Sequence, residues 1–339
     1  MPSAERTSGS SSRAPNRARP RWPIESVEAL FALPFSDLIF RAQRDAPRAP
    51  SRRMRSSSRR SISIKTGGCP EDCGYCPQAK RYHTGVAEQA LLGLDTVVAA
   101  GARREGAGRD ALLHGRRVAR TSDRDLEPVL AMVREVKALG LETCCTLGML
   151  RDGQAEALQG RRSRLLQPQP RHLARVLRRG DHDARLRDRL DTLEQRARGR
   201  RFRSAAAGSS GWASRARSAR ACIAQLANLD PYPESVPINH LVQVARHAAA
   251  RALGGGDAID PFEFVRTIAV ARITMPKAMV RLSAGRRELG DAVQALCFLA
   301  GANSIFYGDK LLTTGNPDVV ADRALFARLG LAAMDSPAA

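Results

Sequence analysis

The chain has 339 residues and a formal net charge of +21, with 43% hydrophobic but only 4% aromatic residues. This length fits one large domain, and no apolar run is long enough to span a bilayer, so we expect no membrane association. Residues 160–220 hold 18 Arg against 5 Asp or Glu. A nucleic-acid interface interleaves basic with aromatic or polar groups, and this stretch has almost no aromatic residues, so we expect no nucleic-acid partner.

The apolar pattern predicts strands that alternate with helices along most of the chain. The first 20 residues are rich in Ser, Arg and Pro and predict a disordered tail without a secretory signal. Strands that alternate with helices form a parallel sheet, so we predict an α/β fold, a (β/α)8 TIM-type barrel over residues 21–331, with a short tail at 332–339. Helices are predicted at 26–43, 125–139, 261–272, 287–300 and 321–329, and strands at 62–64, 141–147, 236–244, 279–283 and 304–307.

A loop rich in Gly and Pro carries Cys69, Cys73 and Cys76 at the spacing C-x3-C-x2-C. Three thiolates can hold three irons of a [4Fe-4S] cube and leave the fourth iron open to bind and reduce a small molecule. Zinc would need a fourth ligand, and the closest candidate, His83, is poorly spaced for it. A disulfide would leave one thiol over and would need an oxidising compartment. The open cluster is the favoured prediction, with zinc as the alternative.

Further sequence blocks follow the order of a known family. They include Ser-Ile-Lys-Thr-Gly before the cysteines, Val-Pro-Ile-Asn ending at Asn239, and Val-Arg-Leu-Ser-Ala-Gly around Arg281. The cysteine motif, with an aromatic residue before the last Cys, resembles the radical S-adenosylmethionine (SAM) superfamily, and the blocks together resemble the biotin synthases. The matching blocks lie at 63–67, 77–78, 81–85, 140–148, 234–239, 266–272, 280–286 and 301–308.

This resemblance implies a radical SAM barrel and a definite chemistry. Cys69, Cys73 and Cys76 would hold the [4Fe-4S] cluster, SAM would bind its open iron, and Tyr75 would lie near the adenine or simply cover the loop. One electron would cleave SAM to a 5′-deoxyadenosyl radical, which removes hydrogen from dethiobiotin in the last step of biotin synthesis. The resemblance also implies a cytoplasmic homodimer that receives electrons from a flavodoxin-type or similar donor.

A second, [2Fe-2S] cluster supplies the sulfur in this family and is held by three Cys and one Arg. Cys144 and Arg281 match two of these ligands, and Asn239 matches a substrate-contacting position. A buried strand cysteine, an ion-pair residue and a strand-end cap are the respective structural alternatives. Cys145 should point to the opposite face of the strand from Cys144 and is expected to be structural.

The other two [2Fe-2S] cysteines have no counterpart at their expected places, near 113–114 and near 204–205. The family's Tyr-Asn-His-Asn-Leu-Asp-Thr block is absent too, and residues 165–173 stand in its place. If these residues are written CTA CTA CAA CCA CAA CCT CGA CAC CTC, a shift of one base yields Tyr-Tyr-Asn-His-Asn-Leu-Asp-Thr-Ser. Similar shifts recover a cysteine across 113–114 and a family block from 205–214.

We therefore predict that parts of 102–122, 160–186 and 200–216 are translated out of frame, which would disrupt the barrel there. A GC-rich gene read in a wrong frame yields Arg, Ala, Gly, Pro and Ser, which accounts for the excess charge. A divergent paralogue with rewritten loops is the alternative. The function predicted is that of a biotin synthase-like enzyme, inactive as this chain is written. The alternatives are another radical SAM enzyme with a single [4Fe-4S] cluster, or a basic RNA-binding zinc protein.

Overall fold

The structure, a computed structural model, describes the N-terminal helices, the strands of two parallel sheets and most of the C-terminal part of the chain. The predicted tail at 1–20 lies outside the described residues. Among the described residues, no helix combines the length and the apolar character that a membrane span requires. The described residues are 21–45, 53–54, 59–70, 77–102, 111–116, 122–148, 150, 153–154, 157–158, 165–166, 203–204, 208–210, 217–240, 242, 260–306, 310–311 and 314–333.

The predicted helices are present with one clear correction, and the helices Leu94–Ala102 and Arg217–Ala227 are additions to the predicted ranges. The single helix predicted at 26–43 is two helices, because Leu33 is extended (φ −59°, ψ 150°) before Pro34. A proline disfavours helical geometry in the residue before it and lacks an N–H for the helix ladder. The helices are α1 (Ile24–Ala32), α2 (Phe35–Asp45), α3 (Leu94–Ala102), α4 (Asp123–Ala138), α5 (Arg217–Ala227), α6 (Pro261–Thr274), α7 (Arg286–Leu299) and α8 (Val319–Arg328).

The main strands form two parallel sheets in sequence order, β2-β3-β4-β5-β6 and β7-β8-β9-β10. Consecutive parallel strands with intervening helices are the arrangement predicted for a (β/α)8 barrel. The strands are β1 (Arg53–Met54), β2 (Arg59–Lys65), β3 (Ala111–Arg116), β4 (Glu142–Thr146), β5 (Leu165–Leu166), β6 (Arg203–Ser204), β7 (Gly208–Ser210), β8 (Ser235–His240), β9 (Met279–Leu282), β10 (Ser304–Ile305), β11 (Lys310–Leu311), β12 (Thr314–Gly315) and β13 (Ala332–Ala333).

Strand pairing includes residues of the predicted C-terminal tail and of the segments predicted to be disrupted. Ala332 and Ala333, in the predicted tail, form β13 and pair with β1. Within the three segments predicted to be disrupted, the described residues include β3, β5, β6 and β7, which pair in the two sheets. The other described residues of these segments are Ala102 and Ser122, and the rest lie outside the described part of the chain.

The second sheet separates an apolar face from a polar face. Val236, Ile238, Val280 and Leu282 are almost fully buried in one apolar cluster with helix α6. Alternate residues of a strand point to opposite faces, so the intervening positions face away from the helices. Those positions are Ser235, Pro237, Asn239, Met279 and Arg281, with Ser304 beside Arg281 on β10.

The first sheet packs on α4 in the same way. Ile64 of β2 and Cys145 of β4 are fully buried in a second apolar cluster with residues of α4 such as Val129 and Val133. Cys145 therefore packs against the helices, which agrees with the structural role expected for it. Ser122 begins α4 as its N-cap, where its side chain accepts a hydrogen bond from the Asp125 N–H.

Candidate functional site

The cysteine loop follows β2 directly and is closed at its base by backbone hydrogen bonds. The Cys69 N–H donates to the Gln78 carbonyl (3.0 Å), and the Lys80 N–H donates to the Cys69 carbonyl (2.9 Å). The buried Gln78 side chain accepts from the Gly67 N–H at 3.1 Å. Cys69 itself is buried. The two ends of the loop are therefore held together at the C-terminal end of a parallel strand, where the ligand sites of α/β folds lie.

Two glycines allow the chain to turn between β2 and the loop. Gly67 and Gly68 have φ of +69° and +58°, a region that residues with a Cβ rarely adopt. A Cβ on Gly67 would lie 2.5 Å from the Ala87 carbonyl oxygen, and one on Gly68 would lie 2.2 Å from the Glu88 carboxylate. The segment around 87–88 thus packs directly against this turn, and both positions require glycine.

Of the remaining loop residues predicted to bind the cluster or SAM, Cys73, Tyr75 and Cys76 lie outside the described residues. Only the backbone of Cys144 is described, in β4. Among the described residues, no group of three or more His, Cys, Asp or Glu side chains is close enough to hold a metal ion. The predicted ligand roles therefore stay predictions.

Arg281 is the best-described member of the predicted site. Its side chain is only 2% exposed, on the polar face of β9. Its Nε donates a hydrogen bond to the Ser304 hydroxyl at 2.8 Å, and its guanidinium carbon lies 4.8 Å from the centre of the Phe306 ring. A buried guanidinium is costly unless its surroundings compensate it, and a hydrogen bond and an aromatic face both do so. The sequence analysis singled out neither Ser304 nor Phe306, although both lie in the matching block at 301–308.

Asn239 lies at the C-terminal end of β8 and holds the loop after β9. Its side-chain oxygen accepts from the Ala284 N–H at 3.2 Å, while the His240 N–H donates to the Ala284 carbonyl at 2.9 Å. Gly285 has φ +87°, and a Cβ there would lie 2.5 Å from the His240 carbonyl oxygen. The structural role weighed for Asn239 is therefore real, and the same amide has a second polar end.

His240 is a titratable residue of this region that the sequence analysis missed. Its ring meets Phe264 edge to face at 5.7 Å, and its buried Nδ1 has no hydrogen-bond partner within the described part of the chain. Burial lowers the pKa of His240, although the nearby Glu288 acts in the opposite direction. His240 is therefore neutral at pH 7. Because alternate residues of a strand face opposite sides, the sequence of β8 could have predicted that His240 faces the helices and Asn239 faces away from them.

Cys222 and Cys297 lie in helices α5 and α7 and face the apolar core. Burial raises the pKa of Cys222 to about 11 and that of Cys297 to about 12. Thiols with such pKa values stay protonated at neutral pH and are poor metal ligands.

The strand register places the predicted [2Fe-2S] ligands relative to their neighbours. Cys144 is the register partner of Leu113 on β3 and of Leu165 on β5, and Leu165 pairs in turn with Arg203 on β6. His114 pairs instead with Cys145, whose side chain faces the helices. Position 113, not 114, therefore shares a face with Cys144.

Comparison with known proteins identifies close relatives along nearly the whole chain. The Biotin and Thiamin Synthesis associated domain matches residues 237–332. A biotin synthase of Janthinobacterium sp. (strain Marseille) is 52% identical over 314 residues, which cover 91% of this chain and 90% of the relative. A biotin synthase of Nitrosomonas europaea is 51% identical over 321 residues, covering 93% and 91% of the two chains.

Solved structures share the fold at low identity. The FeFe-hydrogenase maturase HydG from Carboxydothermus hydrogenoformans superposes with a TM-score of 0.75 at 13% identity, covering 92% of this chain and 75% of that chain. Methylornithine synthase superposes with a TM-score of 0.71 at 15% identity, covering 92% and 94%. Both superpositions cover nearly the whole chain, so the α/β fold class predicted from the sequence is confirmed.

Proposed function

The chain belongs to the biotin synthase family, and on this basis we propose that its chemistry is the radical SAM conversion of dethiobiotin to biotin, which the chain as written cannot complete because two [2Fe-2S] ligands are missing. The observation that carries the proposal is 52% identity over 91% of the chain, which spans both sheets and the cysteine loop. Membership in this family favours a radical SAM enzyme over the zinc-containing RNA-binding alternative. We place this reaction in the cytoplasm.

Cys69, Cys73 and Cys76 would hold the [4Fe-4S] cluster in this proposal. The closed loop base and the burial of Cys69 fit a cluster that must be kept from bulk water. When bound, the cluster and SAM supply a 5′-deoxyadenosyl radical that removes hydrogen from the substrate. Tyr75, one residue before Cys76, would cover the adenine of SAM with its ring.

Asn239 would orient the substrate. We propose that its side-chain amide contacts dethiobiotin, while its oxygen accepts from the Ala284 N–H. An amide that is held by the backbone has a fixed direction, so this contact would be preorganised.

The donor set for the [2Fe-2S] cluster fits only in part. Cys144 and Arg281 are two of the four donors that the family resemblance implies, and Leu113 occupies the position paired with Cys144. On β6, Arg203 shares the row of Cys144 and Ser204 shares the row of Cys145, so of the two expected positions we propose 205 for the fourth donor. Positions 113 and 205 are therefore the places where this chain would need cysteines.

Two added cysteines test this assignment. Anaerobic iron–sulfur reconstitution of the double variant Leu113→Cys, Ala205→Cys should yield both [4Fe-4S] and [2Fe-2S] signals by Mössbauer spectroscopy. The chain as written should yield the [4Fe-4S] signal alone. The matched control His114→Cys, Ser204→Cys adds the same number of thiols on the row of Cys145 and should bind no [2Fe-2S] cluster.

The outcomes of this experiment test the strand register, the [2Fe-2S] ligand set and the role of the cysteine loop separately. A [2Fe-2S] signal of equal size in both double variants would contradict the register argument. No such signal in either would contradict the proposed ligand set and would favour a radical SAM enzyme that uses a single cluster. Loss of the [4Fe-4S] signal in a Cys69→Ala variant of the same protein is expected, and its retention would contradict the role of the cysteine loop.

We also propose a homodimer and a flavodoxin-type electron donor, on the resemblance to the family alone. Size-exclusion chromatography with light scattering should give about twice the 36.8 kDa mass of the chain. A monomer at micromolar concentration would contradict the homodimer. Cluster reduction by a flavodoxin, followed by its visible absorption, tests the donor.

A further inference from the structure

Arg286 is a second fully buried arginine, at the start of α7. Its side chain is 0% exposed, and it forms a buried ion pair with Asp322 of α8, which is 1% exposed. Its Nε donates to the Gln294 side chain at 2.9 Å, and one terminal nitrogen donates to the Phe306 carbonyl at 3.1 Å. The guanidinium therefore joins α7, α8 and the end of β10.

Phe306 is the residue that links this ion pair to the candidate site. Its carbonyl accepts a second hydrogen bond from the Asn316 side chain at 3.1 Å, and its own N–H donates to the Leu282 carbonyl at 3.3 Å. Its ring lies under the guanidinium of Arg281. Two buried donors on one carbonyl determine where the backbone of Phe306 lies, and the backbone determines where the ring meets Arg281.

We propose that Arg286 and Asp322 are positioning residues for Arg281 and act through Phe306. Arg281 donates through Nε to Ser304, and its charged plane rests on an aromatic face. If the ion pair is lost, Phe306 loses one of its two carbonyl donors, and the support beneath the guanidinium loosens. The importance of this positioning for catalysis rests on the proposed function, in which Arg281 is an iron ligand. The positioning of Arg281 by Phe306 does not depend on that function.

Arg272 is a buried arginine that has no hydrogen bond to Phe306. It is 3% exposed and donates to the backbone carbonyls of Pro276, Ala278 and Gly301. These bonds brace the end of α6 and involve neither Phe306 nor Arg286. Arg272 therefore serves as an internal reference for general loosening of the same part of the fold.

The test measures how readily the Arg281 guanidinium opens to solvent. The full chain is treated with phenylglyoxal, which modifies exposed arginine side chains, and the modification rates of Arg281 and Arg272 are followed by peptide mass spectrometry. In Asp322→Asn we expect Arg281 to react about tenfold faster, the order expected when a hydrogen bond to a charged group is lost. The rate at Arg272 should not change.

Two variants control this experiment. Phe306→Leu removes the ring but keeps the carbonyl that Arg286 uses, so it should expose Arg281 even if Asp322→Asn fails to fold. Asp291→Asn removes the exposed partner of Arg328 between the same two helices and should leave the Arg281 rate unchanged. The two variants separate positioning through the ring from simple bracing of α7 against α8.

Three results would overturn the proposal. The first is an unchanged Arg281 rate in folded Asp322→Asn. The second is an equal rise at Arg281 and Arg272, which would mean general loosening. The third is an unchanged Arg281 rate in Phe306→Leu. Because no cluster takes part in this assay, failure of the ligand assignment in the cysteine experiment would not alter its outcome.

Discussion

The two parallel sheets differ in how regularly apolar and polar side chains alternate along their strands. In the second sheet, β8 and β9 direct apolar residues toward the helices at alternate positions, and Asn239 and Arg281 lie on the other face. In the first sheet, β3 reads Ala-Leu-Leu-His-Gly-Arg and shows no such alternation, although its backbone pairs with both neighbours. A segment of this chain can therefore pair as a strand without carrying the side chains that a functional site requires.

The physical reason lies in what each property requires. Parallel pairing uses the backbone N–H and C=O groups, which nearly every residue supplies, whereas ligands require one side chain at one position. The balance of charged residues also differs along the chain. Residues 260–333 hold nine Lys or Arg and seven Asp or Glu, whereas residues 160–220 hold 18 Arg and five Asp or Glu. The difference between the regions is the one expected if the middle of the chain is read out of frame.

The largest expected effect comes from repairing the three segments that we predict to be out of frame. Replacing 102–122, 160–186 and 200–216 by the residues of the shifted frames should restore growth of a biotin auxotroph, which the chain as written should not support. The repair returns the missing cysteines and the Asn and Asp near 167–171, and small misplacements of such groups are costly in rate. Equal growth with both proteins would show that the shifted segments are dispensable.

The next effect is loss of stability in the second sheet and its helices. Arg286→Met would leave the Asp322 carboxylate, which is 1% exposed, without its partner and should cost about 3–5 kcal/mol of unfolding free energy. Burial already raises the pKa of Asp322 while Arg286 lowers it. The loss should therefore shrink at low pH, where Asp322 becomes protonated. Urea denaturation at two pH values measures both effects.

A surface pair between the same helices provides the matched control for Arg286→Met. Arg328 and Asp291 are 68% and 53% exposed, so Arg328→Met should cost at most about 1 kcal/mol. Similar losses in the two variants would contradict the idea that burial of the Arg286–Asp322 pair sets its importance.

The smallest effect concerns pH and His240. Burial lowers the pKa of His240 in the folded state, so below the unfolded value of about 6.5 the unfolded chain binds a proton that the folded chain excludes. The free energy of unfolding should therefore be unaffected by His240 above that pH. It should decrease toward pH 5, by at most about 1.4 kcal/mol per pH unit for one group. The variant His240→Gln should show a smaller fall, and an unchanged pH profile would contradict the assignment.

Most element positions could be predicted because their signals are local. Helix α4 has its N-cap Ser122, its apolar spacing and Gly140 after its end, all within one short segment. The break at Pro34 is equally local and was missed because the apolar repeat continues across it. Strand β3 could not be predicted, since its residues carry no strand pattern and its placement depends on pairing with β2 and β4.

Motif spacing and periodicity are properties of the linear chain, so they were enough to predict the family, the position of the cysteine loop and the alternation of strands and helices. The three-dimensional structure was needed to show that position 113 pairs with Cys144 and that Phe306 lies beneath Arg281. It also showed that a buried Arg286–Asp322 pair holds the Phe306 carbonyl. Such relations join residues far apart in the chain, and they follow from strand register and packing, which no local pattern encodes.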